Sequence, residues 1–272
     1  MISFLFWNIK KNNSLQESIN RITSNYEVDI LMLAECSIEP YELLNSLNQD
    51  RKYKYHYAPS IGCKKILIFT RFSNNFIRPL HDSNYFTIRH LKLPGLKDIL
   101  LVINHFPSKS FWRNSSQALE CFKFANSIRS KEEEIGHSRT ILVGDLNMNP
   151  FEDGLIGASG LHSVMSRQIA KKRTRIVQNE KYPFFYNPMW NLFGDETPGP
   201  PGTYYYSSSE QNVFFWNMYD QVLIRPDLLD YFKNDELKIL ESDGNISFLN
   251  SQGNPDINAI SDHLPLFFKL KL

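Results

Sequence analysis

The feature that most constrains this fold is a set of short apolar runs, each ending in a polar residue. The runs lie far apart in the chain and lead into Asn8, Glu35, Asn104-His105 and Asp145. Runs of this length, rich in β-branched and aromatic residues, predict buried strands. Because a strand holds its backbone rigidly, polar side chains just beyond its end are fixed at one rim of a sheet. The pattern therefore predicts a site assembled at a sheet rim from distant segments.

Predicted strands alternate with amphipathic segments, which favours a mixed α/β fold. Strands are predicted at 2–7, 30–34, 53–57 (a sheet edge), 65–69, 85–93, 99–103, 141–143, 218–224 and 264–270, and helices at 14–26, 40–47 and 115–128. Ser14 is expected to cap the first helix, and Leu119, Phe122 and Ile128 should face the core from the third. The glycine- and proline-rich stretch 150–202 predicts loops. Because both ends of the chain supply strands to one architecture, residues 1–272 are expected to form a single domain.

Charge and composition exclude several classes of protein. The 30 Lys plus Arg nearly balance the 29 Asp plus Glu, so the surface as a whole cannot attract nucleic acid by bulk charge, and any phosphate site must be local. The longest apolar runs are far shorter than the roughly 20 residues of a membrane helix, so no membrane span is expected. The first residues lack the basic leader of a secretory signal, which predicts a cytoplasmic location.

The cysteines argue against a disulfide framework and against a thiolate metal site. There are three, Cys36, Cys63 and Cys121, and none forms a Cys-x-x-Cys pair. We expect all of them to be buried and unreactive.

The polar residues at the predicted strand ends have complementary chemistry. Carboxylates suit a hard cation such as Mg²⁺, amides suit phosphate contacts, and histidines suit proton transfer near neutral pH. The candidates are the carboxylates Glu35, Asp145 and Asp262, the amides Asn8 and Asn147, and the histidines His105 and His263. Each alone is compatible with an ordinary turn or strand end. Their joint occurrence in one order favours a functional site.

Six blocks of sequence carry a family resemblance. They are Trp7-Asn8-Ile9, Leu33-Ala34-Glu35, Asn104-His105-Phe106-Pro107-Ser108, the stretch from Val143 to Pro150, the stretch from Met218 to Leu223, and Ser261-Asp262-His263-Leu264-Pro265. In this order they resemble the endonuclease/exonuclease/phosphatase superfamily over nearly the whole chain. The resemblance implies a four-layered α/β/β/α sandwich with two packed mixed β-sheets. It also implies metal-dependent phosphoester hydrolysis, with Mg²⁺ or, in its place, Mn²⁺.

The resemblance implies a metal site at the predicted rim. Glu35 corresponds to the principal ligand, and Asn8 lies close to the metal and the scissile phosphate. Asp262 corresponds to a further metal-site carboxylate. Asp145 and Asn147 correspond to a pair that positions the attacking water and contacts the phosphate, or that holds a second metal.

The resemblance also implies two catalytic histidines. His263 corresponds to the histidine that binds the phosphate or takes a proton from water, with Asp220 as its orienting partner. His105 corresponds to the one that stabilises or protonates the leaving oxygen. Whether Asp145 or His263 is the general base stays open. Cys36 follows Glu35 where abasic-site enzymes tend to have Lys shortly afterwards, which disfavours that branch.

A second departure concerns the partner of His105. In the pancreatic deoxyribonuclease type a Glu polarises the equivalent histidine, whereas an ungapped comparison puts Lys64 there. His105 is therefore expected to lack that partner.

Three functions are compatible with these features. The first is a nuclease acting on DNA or RNA, supported by a basic run and the aromatic residues that follow it. The run comprises Arg167, Lys171, Lys172, Arg173, Arg175 and Lys181. Lys109 and Arg113, just after the His105 block, are better placed for phosphate contact than this run. The second function is a phosphatase or phosphodiesterase for a lipid headgroup or small molecule, and the third is a non-catalytic binding module. Nucleic acid is the expected substrate partner, and the sequence does not indicate which protein partners exist.

Overall fold

The computed structural model describes residues 1–49 and 53–272 of the chain. Within these residues the strands are, in chain order, β1 (Ile2–Asn8), β2 (Ile30–Ala34), β3 (His56–Tyr57), β4 (Ile66–Thr70), β5 (Ile77–Asp82), β6 (Phe86–Leu91), β7 (Ile99–His105), β8 (Thr140–Asp145), β9 (Ser163–Val164), β10 (Thr174–Val177), β11 (Glu180–Pro183), β12 (Phe185–Tyr186), β13 (Tyr204–Tyr205), β14 (Trp216–Asn217), β15 (Asp220–Ile224), β16 (Lys238–Ile239) and β17 (Leu266–Leu270). The α-helices are α1 (Gln16–Asn25), α2 (Pro40–Asn48), α3 (Asn114–Ile135), α4 (Asp153–Ile156) and α5 (Arg167–Ala170). Turns of 3-10 helix lie at Asn13–Leu15, Asn74–Phe76, Pro188–Asn191, Pro226–Tyr231 and Asn234–Glu236. None of these helices is both long and apolar enough to cross a membrane.

The first sheet has six strands in the order β16-β17-β1-β2-β4-β3. Its central strands β1 and β2 run parallel, with Asn8 opposite Ala34 at their carboxyl ends. Carboxyl ends of parallel neighbours meet at one edge of a sheet. Asn8 and Glu35, which follows β2 directly, therefore leave the sheet at the same rim.

The second sheet has seven strands in the order β5-β6-β7-β8-β15-β12-β9. Strands β7 and β8 run parallel, with His105 opposite Asp145. Strand β15 is antiparallel to β8, so that its first residue, Asp220, also lies opposite Asp145. The topology thus brings three of the predicted site residues to one rim.

Three apolar cores separate four layers. One core lies between the sheets, one lies between the first sheet and helices α1 and α2, and one lies between the second sheet and α3. Representative fully buried members are Phe4, Met32 and Val143 in the first core, Trp7, Ile19 and Leu43 in the second, and Val102, Phe124 and Ile128 in the third. Burial of each large apolar side chain stabilises the fold by about 2 kcal/mol. This is the predicted α/β/β/α sandwich with two packed mixed sheets.

The predicted cap at Ser14 is wrong. The side chain of Asn12 accepts a hydrogen bond from the Ser14 N–H at 3.0 Å and caps the turn before α1. Asn12 Nδ2 also donates to the carbonyl oxygen of Ile260 at 2.7 Å. This contact with a residue near the other end of the chain favours Asn12 as the capping residue. The sequence around the helix start does not predict such a contact.

Helix α3 is longer than predicted, and two of its predicted core residues are exposed. Leu119 and Phe122 face solvent, and the buried positions are Gln117, Cys121, Phe124, Ala125, Ile128 and Glu132. Gln117 donates to the carbonyl oxygen of Asn147 at 3.0 Å, and Glu132 pairs with a buried arginine. These two polar contacts determine which face of the helix is buried. A search for apolar periodicity considers only apolar residues and therefore does not detect them.

The predicted loop region 150–202 contains short elements. Strands β9 and β12 extend the second sheet, and β10 pairs with β11 in a separate hairpin. The contact between β12 and β15 is one residue pair, Tyr186 opposite Ile224. Such a short strand forms only because the neighbouring sheet is there to pair with it. The sequence of the short segment alone therefore does not predict it.

The basic run lies away from the predicted site. Arg173 pairs with Asp227, which accepts a hydrogen bond from Ser138 Oγ at 2.6 Å just before β8 begins. Asp145 and Asn147 instead lie at the carboxyl end of β8. Arg167 donates to the carbonyl oxygen of Leu229 at 2.8 Å. Arg167 and Arg173 of this run therefore make structural contacts near the opposite end of this strand.

The prediction that all three cysteines are buried is wrong for one of them. Cys63 and Cys121 are buried, whereas Cys36 is half-buried. Burial nevertheless raises the pKa of the Cys36 thiol to about 11. A thiol with this pKa is protonated at neutral pH, so it is a poor nucleophile.

Candidate active site

A hydrogen bond between Asn8 and Asp145 joins the two sheets at the rim. Asn8 Nδ2 donates to Asp145 Oδ2 at 3.1 Å, and both side chains are buried. Each residue is the last of a central strand. Each of these strands is paired with a neighbour on both sides, so the backbone positions of Asn8 and Asp145 are fixed.

Glu35 and His105 make a second contact between the sheets. Glu35 Oε1 lies 3.2 Å from His105 Nε2, and Asp145 Oδ2 lies 3.7 Å from the same nitrogen. The hydrogen bond to His105 lowers the pKa of Glu35 to about 2, against the opposing effect of burial. The carboxylates of Glu35 and Asp145, which come from different sheets, thus both place an oxygen atom near His105 Nε2. Positive charge is stabilised at this position.

His263 is held between two carboxylates. Its Nδ1 lies 2.7 Å from Asp220 Oδ2, and its Nε2 lies 3.8 Å from Asp145 Oδ2. Burial alone lowers the pKa of His263, but the charges of Asp220 and Asp145 outweigh it and raise the pKa to about 10. Burial also raises the pKa of Asp145. Because Nδ1 faces Asp220, Nε2 is the ring nitrogen that points toward the other site residues.

The turn after β8 is fixed by close packing and by hydrogen bonds. A Cβ atom on Gly144 would lie 2.0 Å from the carbonyl oxygen of Asn104, so the neighbouring strand leaves room only for glycine. The Asn147 N–H donates to Asp145 Oδ1 at 2.9 Å, and Asn147 Nδ2 donates to the carbonyl oxygen of Phe106 at 2.9 Å. The turn therefore sets the orientation of the Asp145 carboxylate.

Two of the predicted site residues have a left-handed backbone. Glu35 has φ 47° and Asn147 has φ 50°. This conformation is unusual for a non-glycine residue, although Asn tolerates it better than Glu. Such strain concentrates at functional sites, where the surroundings hold it in place.

Three other predicted residues lie farther from the buried carboxylates. Asp262 is half-buried, with Oδ2 3.6 Å from Lys10 Nζ. Lys109 pairs with Glu152 and lines a cleft beside the site. Arg113 is exposed at the start of α3, outside the lining of that cleft.

His105 Nδ1 is the ring nitrogen that does not face Glu35 and Asp145. Lys64 is exposed. The buried Nδ1 of His105 has no hydrogen-bond partner within residues 1–49 and 53–272.

Four supporting residues were missed by the sequence reasoning. Ser261 Oγ donates to the carbonyl oxygen of Asn8 at 2.8 Å, and the Trp7 indole donates to that of His263 at 2.9 Å. Ser261 and Trp7 lie within the sequence blocks that carry the family resemblance, and this position is the feature by which they could have been identified. Thr203 Oγ1 accepts from the Asp220 N–H at 3.0 Å, and the Tyr204 ring lies 4.8 Å from the His263 ring. No local motif indicates these last two contacts.

A cleft of about 530 Å³ opens beside Asn147. Its lining includes the rings of Tyr204, Tyr206, Phe214 and Tyr219. The cleft therefore joins the polar rim to an aromatic wall.

The donor set at the rim fits a hard divalent cation. Carboxylate oxygens of Glu35 and Asp145 come together there, and oxygen atoms are the ligands that such cations prefer. The Asn8 amide lies beside them and donates to Asp145 through Nδ2. One ligand atom from each of Asp145, Asp220 and His263 also lies within 4.8 Å of the others.

The sequence of this chain matches a family of known proteins. Residues 5–263 match the Endonuclease/Exonuclease/phosphatase family. No curated protein matches the chain by sequence.

Solved structures share the fold at low identity. The endonuclease domain of TRAS1, a telomere-specific non-LTR retrotransposon, is 13% identical, with a TM-score of 0.55 over 100% of this chain and 99% of its own. Truncated TDP2 from Caenorhabditis elegans is 17% identical, with a TM-score of 0.58 over 99% and 96%. D. rerio TDP2, solved with a single strand DNA product, is 12% identical, with a TM-score of 0.57 over 100% and 99%. The family match spans most of the chain, and the protein belongs to the endonuclease/exonuclease/phosphatase family.

Proposed function

We propose that this protein is a divalent-metal-dependent phosphodiesterase that hydrolyses nucleic acid. The observation that carries the proposal is the convergence of Glu35, Asp145 and the Asp220–His263 pair at one rim between two sheets. Carboxylates for a cation, beside histidines that can move protons, are the groups that phosphoester hydrolysis requires.

In this proposal Glu35 and Asn8 would hold the cation, with Asp145 beside them and Asp262 at the rim as a further carboxylate. Bound there, Mg²⁺ or, in its place, Mn²⁺ would supply positive charge to offset that of the phosphoryl oxygens and would lower the pKa of a water molecule. Asn147 orients Asp145 through its backbone N–H. Asp145 and Asn147 thus form the pair proposed to position the attacking water and the phosphate.

The two histidines act on either side of the phosphorus. Asp220 binds His263 Nδ1, so that Nε2 is the atom that exchanges a proton or a hydrogen bond with the water or the phosphate. His105 presents Nε2 to Glu35 and Asp145. We propose that His105 stabilises the departing oxygen.

A nucleic acid substrate is favoured over a lipid headgroup by the cleft. Aromatic rings beside the rim suit bases, which every nucleotide offers next to its phosphate. The structural neighbours include an endonuclease domain and a protein solved with single strand DNA. Lys109 lines the cleft and is proposed to contact phosphate after leaving Glu152, whereas the exposed Arg113 would contact a longer strand.

A substrate panel tests this function. Purified protein is incubated with single- and double-stranded DNA, RNA, phospholipid vesicles and a soluble phosphomonoester, each with Mg²⁺, Mn²⁺ or a chelator. We expect cleavage of nucleic acid that needs the metal and falls by at least about 100-fold in His263→Ala. An exposed-site control, Asp230→Asn, should cleave at the normal rate. Turnover of only the phospholipid or the phosphomonoester would select the alternative function, and intact substrates throughout would refute both.

A further inference from the structure

The aromatic cleft is built on a hairpin attached to the segment that carries His263. Strands β13 and β14 pair antiparallel, outside the two large sheets. Tyr204 also forms an isolated bridge with His263, and the Leu264 N–H donates to the carbonyl oxygen of Thr203 at 2.8 Å. The base of the hairpin is therefore held at a fixed position beside this histidine.

Aromatic rings extend from that base along the cleft and become more exposed. The Tyr204 ring lies 4.8 Å from the His263 ring and stacks on Tyr219 at 5.1 Å. Farther along the hairpin, Tyr206 is 52% exposed and Phe214 is 62% exposed. Two large rings on one wall of a cleft are thus open to a ligand.

A left-handed residue brings Phe214 to this wall. Regular strand alternation would place Phe214 on the face of Tyr205, away from Tyr206. Phe215 instead has φ 60°, which is rare for a bulky residue, and its ring lies 6.4 Å from the Tyr205 ring. Phe214 consequently lines the cleft together with Tyr206. The Phe214 ring is backed by a buttressing ring, Phe151, at 5.2 Å.

The remaining lining is polar but carries little charge. It consists mostly of hydroxyl and amide side chains, including Ser108, Ser208, Asn149 and Asn212. The charged residues of this lining are Lys109, which pairs with Glu152, and the acidic Glu210. A cleft with flat apolar rings, hydrogen-bonding groups and little positive charge suits a planar, uncharged, hydrogen-bonding ligand. A nucleobase has these properties, and a run of phosphates does not.

We propose that this cleft binds the unpaired base of a nucleotide next to the scissile phosphate, so that the enzyme selects single-stranded over duplex nucleic acid. The inference rests on the proposed function and names its substrate class. Bases of a duplex are stacked on each other and cannot reach a side cleft, whereas each face of an unpaired base can stack on an aromatic ring. Loss of one such contact weakens binding by about tenfold.

Cleavage kinetics test the inference with three versions of one oligonucleotide. These are the single strand, the same strand annealed to its complement, and the strand with abasic linkers around the scissile phosphate. Wild type should prefer the normal single strand to the other two by at least about tenfold. Phe214→Ala and Tyr206→Ala should raise KM about tenfold for the normal strand only, with kcat little changed, and Phe214→Tyr should restore KM.

A matched control is Ile176→Ala, which removes an apolar side chain that is 72% exposed on the β10–β11 hairpin. It should leave all rates unchanged. If wild type cleaves the abasic strand as well as the normal one, or if Phe214→Ala leaves KM unchanged, the inference is overturned while the nuclease function stands.

Binding measured without turnover separates the two proposals. Fluorescence anisotropy of the labelled strands in chelator should show base-dependent binding that Phe214→Ala weakens about tenfold. If no nucleic acid is cleaved, the proposed function fails, and this binding result alone supports or overturns the base subsite. Sedimentation with vesicles of phosphatidylcholine and phosphatidylserine is the third arm. Vesicle binding that depends on Phe214, together with unchanged oligonucleotide binding, would overturn the inference in favour of a membrane contact.

Discussion

Asp220 Oδ2 lies 2.7 Å from His263 Nδ1, although the two residues are 43 positions apart in the chain. Asp220 begins β15 and is fully buried, and its own N–H is bound by Thr203 Oγ1. A buried carboxylate held in this way fixes the tautomer and the ring orientation of the histidine. The orientation of the His263 ring therefore depends on a residue that does not line the cleft.

Asp220→Asn should lower kcat by about 100-fold or more, because an amide does not hold the proton on Nδ1 as a carboxylate does. KM should change little, since Asp220 does not line the cleft. Steady-state kinetics on the single-stranded oligonucleotide measure both constants, with Asp230→Asn as the exposed carboxylate control. A normal kcat would mean that the Asp220–His263 contact is structural.

Gly144→Ala should destabilise the fold by about 3 kcal/mol or more, because the added Cβ would overlap the carbonyl of Asn104 in the neighbouring strand. Urea unfolding measures the loss. The control is Gly95→Ala, where φ is 74° and nothing lies within 4 Å of the new Cβ, so only about 1 kcal/mol is expected. Equal losses in the two variants would contradict close packing at the turn.

Acid should weaken the fold through Asp243. Burial opposes its ionisation, but the Arg21 guanidinium, bonded to Oδ2 at 2.9 and 2.8 Å, and two backbone N–H groups lower the pKa to about 2. The unfolded value is about 4. The stabilisation is therefore complete above about pH 4, and about 2 kcal/mol of it is lost as the pH falls toward 2.

Urea unfolding between pH 2 and 7 tests this dependence. Asp243→Asn should be less stable than wild type above pH 4, and its unfolding free energy should fall less in acid. Glu17→Gln, which alters the exposed partner of the same arginine, should keep the wild-type slope. An unchanged acid slope in Asp243→Asn would show that other carboxylates govern acid unfolding.

The rim could be predicted from the sequence because its positions follow strands. Apolar runs specify β1, β2, β7 and β8 locally, and parallel pairing of these strands brings their carboxyl ends to one edge. Strand pairing alone therefore brings the polar residues at the ends of these strands to one location. The expectations of a single domain and of a cytoplasmic location stay predictions.

The rest depends on contacts between distant polar residues. Gln117 and Glu132 set the buried face of α3, and a search for apolar periodicity passes over them. The pairing of Lys109 with Glu152 joins a loop to a turn 43 positions later. The β13–β14 hairpin is likewise held by the bridge between Tyr204 and His263 and by the hydrogen bond from the Leu264 N–H to the carbonyl oxygen of Thr203. Local propensity contains no information on such contacts.

The central claim is that Glu35 and its neighbours hold a divalent cation at the rim. Mn²⁺ binding, followed by electron paramagnetic resonance of the purified chain, tests it without any substrate. Glu35→Gln removes the half-exposed carboxylate at the site, and Glu39→Gln removes an exposed one four residues later. We predict that Glu35→Gln weakens Mn²⁺ binding by at least about tenfold while Glu39→Gln binds as wild type does. Absence of binding to wild type, or equal affinity in all three proteins, would contradict the account.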